Sequence, residues 1–379
     1  MRVRLFVLVG SAAGCAAAIV AAGNDAHDAA SQAWPPFVLV AGLLMVGAIA
    51  HGEGLFDALG HDLGRFGRSP IVALCSALAV VAITTALLNL DTAAAFLTPV
   101  VIVAARRRRM SEDAFLYGTL FMTNAASVLL PGSNLTNLLV VGHDHVSGAT
   151  FAGRMAPAWV AAVLVTSAVV IIRWRADLRR DRADGDDRDK GARPPMPWPA
   201  ALLVVATGAL ILVLASPAVA VFVLATVACV VVVGRSRLDA ASIVDAVDPL
   251  VLLALFGVAV ALGTLARAWD GPTRLLSTSG GPVTMVVAAC ATVVMNNLPA
   301  AALFSARAVH HPRALLLGLN LGPNLAVTGS LSAFVWMKAA RSVGARPDWR
   351  RVSAVGVVLV PLSLAAAAGA LRLVTPGGW

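Results

Sequence analysis

The sequence has little charge and few aromatic side chains. Asp, Glu, Lys and Arg make up 13% of its 379 residues, aromatic residues make up 6%, and there is one tyrosine. Soluble domains carry about 25% charged residues, so this charge content excludes a soluble globular protein. The hydrophobic fraction of 59% and the mean hydropathy of +0.84 indicate a chain that crosses a membrane several times.

Several chemical signatures are also missing. The four cysteines lie singly in apolar segments without CxxC spacing, which argues against a disulfide framework and a zinc site. The sequence contains no GxxxxGK[ST] and no GxSxG, so it predicts neither ATP-driven transport by this chain alone nor serine hydrolysis. We therefore predict no enzymatic activity, no metal site and no cofactor beyond a coupling proton or sodium ion.

Basic residues are clustered along the chain. Of the 29 Lys and Arg residues, 23 fall in a few short loops, the pattern by which positive charge orients membrane helices. The net charge of +9 is therefore no sign of nucleic-acid binding. This distribution predicts a multi-pass protein of the bacterial cytoplasmic membrane, with its amino terminus in the cytoplasm and its carboxyl terminus outside. The basic loops contain Arg2 and Arg4, Arg65 and Arg68, Arg106 to Arg109, residues 173–193, Arg235 and Arg237, and Lys338 to Arg351.

The apolar runs predict an all-α membrane protein with about nine spanning helices. They lie at 3–22, 35–51, 113–142, 150–172, 197–216, 218–234, 247–266, 312–338 and 352–374. The first run also has the basic head and small residues of a signal peptide, so its removal from the mature chain stays open.

Two further apolar segments, 69–105 and 281–309, have polar centres. In the first segment, the second arm from Ala93 to Ala105 would rise about 20 Å, whereas a hydrocarbon core is about 30 Å thick. In the second segment, the arm from Ala300 to His310 is shorter still. We therefore predict two re-entrant hairpins, the first entering from the cytoplasm and the second from the opposite side.

The order of these segments repeats. Two spans, a hairpin, a polar-interrupted span and a final span occur in residues 1–172, and the same order recurs in residues 218–379 with reversed orientation. Residues 173–217 supply a charged cytoplasmic linker and a connecting helix. An inverted repeat of this kind is typical of secondary transporters.

Four polar interruptions mark the predicted binding site. Non-helical backbone is tolerated at membrane depth where it lines a cavity or is buried in protein. Pro131 with Gly132 and Pro323 with Gly322 would break the two interrupted spans, and the hairpin tips add two more polar segments. The candidate residues for binding a solute or ion are Asn89, Asp91, Thr92, Ser133, Asn134, Thr136, Asn137, Asn296, Asn297, Asn320, Gly322, Asn324, Thr328, Gly329 and Ser330.

Asp91 is the only carboxylate at these four points. An acid inside a membrane must be paired, protonated or bound to a cation, so we assign it proton coupling. It would also fit a capping role at the start of the second hairpin arm, and the two roles are compatible.

Several motifs carry a resemblance to a known family. The stretches NLDTAAAFLTPVVI, GSNLTNLLVV, MNNLP and NLGPNLAVTGSLSAFVW together resemble the arsenical pump membrane proteins of the ion transporter superfamily. That superfamily also includes sodium/proton antiporters and sodium-coupled carriers of dicarboxylates and citrate. The resemblance implies efflux of arsenite or antimonite, driven by proton entry or assisted by a separate ATPase subunit, with a homodimer as the assembly. It also places in the site the residues that match the family's motifs: Asn89, Asp91, Thr92, Ser133, Asn134, Asn137, Asn296, Asn297, Gly322, Pro323, Thr328, Gly329 and Ser330.

The chain departs from that family at two places. Leu90 separates Asn89 from Asp91, and an amide, Asn124, stands where an acid is expected. No Lys or Arg occurs at the four interruptions, which favours a small neutral solute or a cation over a dicarboxylate. The sequence therefore predicts a proton-coupled arsenite exporter, and it leaves a sodium/proton antiporter and a carrier of di- or tricarboxylates as alternatives.

Overall fold

The computed structural model describes residues 14, 20, 22–63, 69–142, 146–183 and 194–374. Within these residues the secondary structure is helical and contains no strand, which confirms the predicted all-α class. The predicted span at 3–22, apart from residues 14, 20 and 22, lies outside the described residues, and so do residues 184–193 of the linker.

Nine helices make up the described residues before position 214. They are α1 (Gly23–Gly52), α2 (Leu55–Leu63), α3 (Pro70–Leu87), α4 (Leu90–Thr92, Ala93–Leu97 and Thr98–Arg107 in direct succession), α5 (Glu112–Ala126), α6 (Leu135–Val141), α7 (Gly148–Arg173), α8 (Arg175–Ala183) and α9 (Trp198–Val213). The middle part of α4 is a turn of π-helix, and a short 3₁₀ turn, Pro131–Ser133, separates α5 from α6.

Another nine helices complete the described chain. They are α10 (Ala218–Gly234), α11 (Ala240–Val247), α12 (Pro249–Ala268), α13 (Gly271–Ser277), α14 (Gly281–Met295), α15 (Asn297–Phe304), α16 (Pro312–Leu321), α17 (Leu331–Ser342) and α18 (Trp349–Val374). Two 3₁₀ turns, Gly322–Leu325 and Val327–Gly329, separate α16 from α17.

Five apolar helical stretches in the described residues are long enough to cross a membrane. They are α1, α3, α7, α18 and the continuous pair α11 and α12. Three shorter apolar helices, α9, α10 and α14, accompany them. The chain therefore has the helices of a multi-pass membrane protein.

The first fully described helix, α1, begins earlier than the sequence predicted. It begins at Gly23 and continues through Pro35 and Pro36, whereas the predicted span begins at residue 35. A proline removes one backbone donor, and membrane helices tolerate it more often than soluble helices do. The prolines are therefore internal to the helix and do not mark its start.

The two predicted hairpins occur as pairs of helices with tight connections. In the first hairpin, α3 ends at Leu87 and α4 begins at Leu90; in the second, α14 ends at Met295 and α15 begins at Asn297. The second arm of the first hairpin runs from Leu90 to Arg107, about 27 Å, so it is longer than the predicted 93–105. The arm α15 has 8 residues, about 12 Å, so it is too short to cross a bilayer.

The hairpin of each half packs against helices of both halves of the chain. In each half the first hairpin arm lies against the helix that precedes the break, α3 against α5 and α14 against α16. The tips and second arms contact the opposite half, with α4 against α17 and α15 against α6. Helix α7 lies along α18, and α1 lies against α10 and α12. The two halves are therefore interlocked through their interrupted helices.

Ion pairs and hydrogen bonds of charged side chains occur in two groups at the ends of these helices. At one end of the bundle Arg106 pairs with Glu112 and also donates to the Val343 carbonyl, while Arg351 pairs with Asp113. All of these residues come from loops predicted to be cytoplasmic. A separate group contains Arg307, Asp270 and Arg267, which come from loops predicted to lie outside.

Helix α18 lies directly against the broken segment after α16. A Cβ at Gly356 would lie 2.2 Å from the Asn324 carbonyl oxygen and 2.8 Å from the Leu325 Cα, and real Cβ atoms do not approach backbone so closely. Gly356 therefore allows α18 to support the break. Gly369, on the same helix, has no atom within 4 Å of an added Cβ.

We predict that Gly356→Ala destabilises the protein and that Gly369→Ala does not. Overpacking against backbone costs about 1–3 kcal/mol. Gly369→Ala changes only the helix propensity, which favours alanine over glycine by about 1 kcal/mol. Thermal unfolding in detergent measures both variants. Equal melting temperatures for the two variants would contradict the close packing of α18 on the break.

Candidate functional site

The tip of the first hairpin is held by its own asparagine. The Asn89 side-chain oxygen accepts a hydrogen bond from the Thr92 backbone N–H at 2.6 Å, which caps the amino end of α4. Asn89 and Thr92 are buried, yet the Asn89 side-chain nitrogen and the Thr92 hydroxyl have no partner in the described residues. Thr85, one turn before the tip, also has an unpartnered buried hydroxyl. The tip therefore retains free hydrogen-bonding capacity.

Asp91 lies in this tip, beside α1, α5 and α17. Its side chain is partly exposed and forms no hydrogen bond or ion pair with any described residue. Asn89, and not Asp91, caps the amino end of α4. A capping role therefore does not explain why residue 91 is an acid. The close approach to α1 depends on Gly47, where an added Cβ would lie 2.4 Å from the Thr92 methyl carbon.

The first break consists of the 3₁₀ turn Pro131–Ser133 and its flanking residues. The Asn134 side-chain oxygen accepts from the Thr136 N–H at 3.1 Å and caps α6. The Asn137 amide donates to the carbonyls of Ser127 at 2.7 Å and Leu130 at 3.0 Å, which the break has freed. Ser133 lies within hydrogen-bond distance of the same two carbonyls. The predicted side chains therefore satisfy most of the opened backbone.

The second hairpin tip and the second break bind each other. The Asn296 amide donates to the Thr328 carbonyl at 3.1 Å, and the Thr328 hydroxyl donates to the Val293 carbonyl at 3.0 Å. Asn296 has a φ of 78° and caps α15 through the Leu298 N–H. Asn297 is buried just beyond this turn. The tip and the break are thus one hydrogen-bonded unit.

The remaining predicted residues of the second break pack tightly. Added Cβ atoms at Gly322 and Gly329 would each lie 2.6 Å from a backbone Cα, of Ala289 and Pro323 respectively. Ser330 is buried and shares a hydrogen bond of 2.8 Å with Ser332 at the start of α17. These positions therefore require small side chains.

Asparagine side chains join the two breaks across the centre of the protein. The Asn320 oxygen accepts from the Ser127 hydroxyl at 2.6 Å and from the Asn134 amide at 2.8 Å. The Asn320 nitrogen donates to the Asn137 oxygen at 2.7 Å and to the Leu316 carbonyl at 2.8 Å. An asparagine can accept two hydrogen bonds and donate two, so Asn320 is fully satisfied by protein.

A second amide pair lies beside this one. The Asn124 nitrogen donates to the Asn324 oxygen at 2.8 Å, and the Asn324 nitrogen donates to the Phe121 carbonyl at 3.1 Å. A carboxylate at position 124 would place its oxygens against the Asn324 oxygen. The amide at 124, where the family resemblance implied an acid, is therefore the residue type that this contact requires.

Sequence reasoning did not place Asn124 and Ser127 in the candidate site. Asn134 directly precedes α6, and Ser330 directly precedes α17. Asn124 lies ten residues before Asn134, and Asn320 lies ten residues before Ser330. Aligning the two halves at these helix starts makes the two asparagines equivalent. This alignment of Asn124 with Asn320 can be made from the sequence. The role of Ser127 cannot, because it depends on the contact with Asn320 in the folded chain.

Most of the predicted residues come together. Hydrogen bonds join the first break to the second through Asn320, and the second break to the second tip through Thr328. The first tip contacts α17 by packing and forms no hydrogen bond with the other three interruptions among the described residues. No Lys or Arg of the described chain bonds to any predicted site residue. Apart from Asp91, the assembled region consists of amides, hydroxyls and backbone.

This architecture has a solved counterpart. The fold is similar to that of the YdaH transporter of Alcanivorax borkumensis, with a TM-score of 0.55 over 93% of this chain and 87% of that chain. The two sequences are 14% identical, so the likeness concerns the fold. Interrupted helices, paired hairpins and this likeness define the fold of a multi-pass membrane protein.

Comparisons with known sequences identify the family of this membrane protein. The inner membrane protein YbiR of Escherichia coli K12 is 29% identical over 125 residues, which are 33% of each chain, so the match spans about a third of that relative. The citrate transporter family, CitMHS, matches residues 4–328. The chain belongs to the citrate transporter family. The predicted relationship to a superfamily with citrate carriers is thus confirmed, and the assignment to arsenical pumps stays a prediction.

We predict that Asn320→Ala lowers the free energy of unfolding by about 2–6 kcal/mol, because it leaves the buried side chains of Asn134 and Asn137 without their partner, at a cost of about 1–3 kcal/mol each. Asn320→Asp should destabilise the protein as well, because it buries a charge and places a carboxylate oxygen against the Asn137 oxygen and the Leu316 carbonyl. Denaturation in detergent micelles measures the series. Thr226→Val, which removes an exposed hydroxyl that bonds to the Phe222 carbonyl of its own helix, is the control. An Asn320→Ala protein as stable as that control would refute the role of the network.

Proposed function

We propose that this chain is a secondary active transporter that exports arsenite or antimonite in exchange for entering protons. The observation that carries the proposal is the unpaired acid Asp91, set in a polar region that is otherwise uncharged. A lone acid among neutral groups is suited to carry a proton, because it has no fixed cation to hold it ionised.

The chemistry of the solute fits the rest of the region. Arsenous acid is a neutral trihydroxide at neutral pH, and amides, hydroxyls and backbone groups can bind it by hydrogen bonds. The described cysteines, Cys75, Cys229 and Cys290, lie outside the four interruptions. A thiolate would hold arsenite too tightly for release, so a site without cysteine suits a transporter of this solute.

Coupling would arise at the first hairpin tip. There the unpartnered groups of Asn89 and Thr92 flank Asp91, and protonation of the carboxyl replaces an acceptor-only group by one that can also donate. We propose that solute is bound with Asp91 in one protonation state and that the protein returns with Asp91 in the other. One proton then enters for each solute released.

A carrier of citrate or other carboxylates is the second candidate, favoured by the family to which the chain belongs. Helix amino ends attract anions. Asparagine side chains already cap three of the four half-helices that begin at the interruptions, α4, α6 and α15, and only α17 lacks such a cap. This leaves little fixed positive potential for a trivalent anion.

A sodium/proton antiporter would use the same acid, Asp91.

We predict that Asp91→Asn abolishes proton-driven arsenite movement. In proteoliposomes with an imposed pH gradient, the native chain should accumulate arsenite against its gradient, and the variant rate should fall at least about tenfold because the amide cannot titrate. Arsenite, citrate and sodium fluxes are measured in parallel.

Asp113→Asn is the matched control, because it removes an acid whose ion pair with Arg351 lies at the end of the bundle. It should leave the proton-driven arsenite flux close to the native value. Citrate movement without arsenite movement would replace the leading proposal by the second candidate, and sodium movement alone would identify an antiporter.

We further propose that residues 1–172 and 218–379 are inverted repeats, and that the end of the bundle with Arg106 and Arg351 faces the cytoplasm. From Gly23 onward, the described helices of the first half follow the same order as the helices from Ala240 onward in the second half. Positive charge favours the cytoplasmic side.

A pair of single-cysteine variants tests this orientation. In intact cells a membrane-impermeant maleimide should label Thr278→Cys, and Arg346→Cys should react only after the membrane is opened, since both residues are exposed at loops predicted to lie on opposite sides. Labelling of Arg346→Cys in intact cells would reverse the orientation.

A further inference from the structure

A single glutamine joins four elements at the end of the bundle where α1 begins. The Gln32 side-chain nitrogen donates to the Leu139 carbonyl at 3.1 Å and to the Ser305 carbonyl at 2.8 Å. Its side-chain oxygen accepts from the Arg267 guanidinium at 2.6 Å. Gln32 belongs to α1 and Arg267 to α12, so these contacts tie two long helices to α6 and to the end of α15.

Both carbonyls lie at the carboxyl ends of short half-helices. Helix α6 has 7 residues and α15 has 8, and each comes from a different half of the chain. Their amino ends carry Asn134 and Asn296, which belong to the candidate site. At a rise of about 1.5 Å per residue, Gln32 therefore acts roughly 10 Å from the site, along each half-helix.

Arg267 supplies positive charge to this junction. The carboxyl end of a helix has partial negative charge, which a nearby cation offsets. The guanidinium donates to the Gly263 carbonyl at 3.0 Å as well as to Gln32, and no carboxylate of the described chain bonds to it. The nearby Asp270 pairs with Arg307 at 2.6 Å. Arg267 is therefore directed to backbone and amide groups.

Small side chains surround the junction. A gap beside Gln32 and Arg267 is lined by Ala29, Ala33, Ala259, Ala302 and Gly263, together with Leu139 and Ser305. Apolar side chains of all four helices, among them Ala29, Leu139, Ala259 and Ala302, belong to one buried hydrophobic cluster. Gln32 and Arg267 therefore supply the polar bonds of a junction that is otherwise apolar, and water can replace these bonds when the junction opens.

We propose that Gln32 and Arg267 are positioning residues that act as a latch. They hold the carboxyl ends of α6 and α15 against α1 and α12, and the latch opens when the protein changes conformation during transport. This rests on the proposed function as a secondary transporter and not on the identity of the solute. Gln32 acts through its two N–H donors, and Arg267 acts by orienting Gln32 and offsetting the helix ends.

The test uses a chain without native cysteines and with the reporter Ala302→Cys, which lies on α15 and is buried beside the latch. In lipid nanodiscs, Gln32→Leu should increase the maleimide labelling rate of this reporter about tenfold. Gln32→Glu should do the same, because a carboxylate attracts Arg267 but cannot donate to the two carbonyls. Asp270→Asn, which breaks the neighbouring ion pairs with Arg307 and Arg274, should leave the rate unchanged.

A second reporter separates a latch from general loosening. Ala288→Cys lies buried on α14, away from Gln32, and its labelling should not change in any of these variants. Hydrogen exchange of the α6 and α15 amides gives the same comparison without a reporter cysteine. The proposal is overturned if Gln32→Leu labels at the native rate, if Gln32→Glu behaves as the native chain, or if both reporters react faster together.

Transport kinetics complete the test. A latch should change kcat for the transported solute by more than it changes KM, since Gln32 does not touch the site, whereas a misfolded protein would lose both activity and thermal stability. Absence of arsenite transport in the native chain would reject the proposed substrate and leave the labelling result intact.

Discussion

The requirement that buried polar groups find partners inside the protein governs this structure. Two interrupted helices open their backbones inside the protein, where an unsatisfied buried group costs several kcal/mol. Asn137 and Ser133 serve the opened carbonyls of the first break, and Asn320 joins that break to the second. The hairpins, the half-helices and α18 pack around this set of amides. The two halves therefore meet through side chains whose hydrogen bonds are used for structure.

This use of amides divides the candidate residues into two groups. Asn134, Asn137, Asn320 and Asn324 bind one another or the backbone, so their removal would first disturb the fold. Unpartnered buried atoms remain on Asn89, Thr92 and Thr85 in the first hairpin, and on Asn124 and Thr136 near the first break. The first hairpin tip combines such groups with an acid, Asp91, so a proton and a solute can be bound there without dismantling the central network. The latch at Gln32 lies at the far end of the half-helices that frame the site.

The helices, both hairpins and both breaks follow from patterns that local physics explains: apolar runs of membrane length, prolines and glycines that end them, and asparagines that cap the next helix. Span limits were less predictable, since Pro35 and Pro36 lie inside α1 and the second arm of the first hairpin extends beyond 93–105. Within the site, the sequence indicates which polar residues lie at the breaks but not which of them bond to one another. The pairings of Asn124 with Asn324 and of Ser127 with Asn320 join residues about 200 positions apart, and they depend on how the two halves pack. Gln32 and Arg267 lie in ordinary apolar helices, so no local pattern distinguishes them.

The most direct test of proton exchange is to measure whether a solute gradient alone moves protons. Proteoliposomes loaded with arsenite and a pH-sensitive dye, with equal pH on both sides, are diluted into arsenite-free buffer in the presence of valinomycin and potassium to clamp the membrane potential. The account predicts that the lumen acidifies as arsenite leaves, and that the acidification depends on Asp91. Arsenite efflux at constant internal pH, or acidification that appears with citrate in place of arsenite, would contradict it.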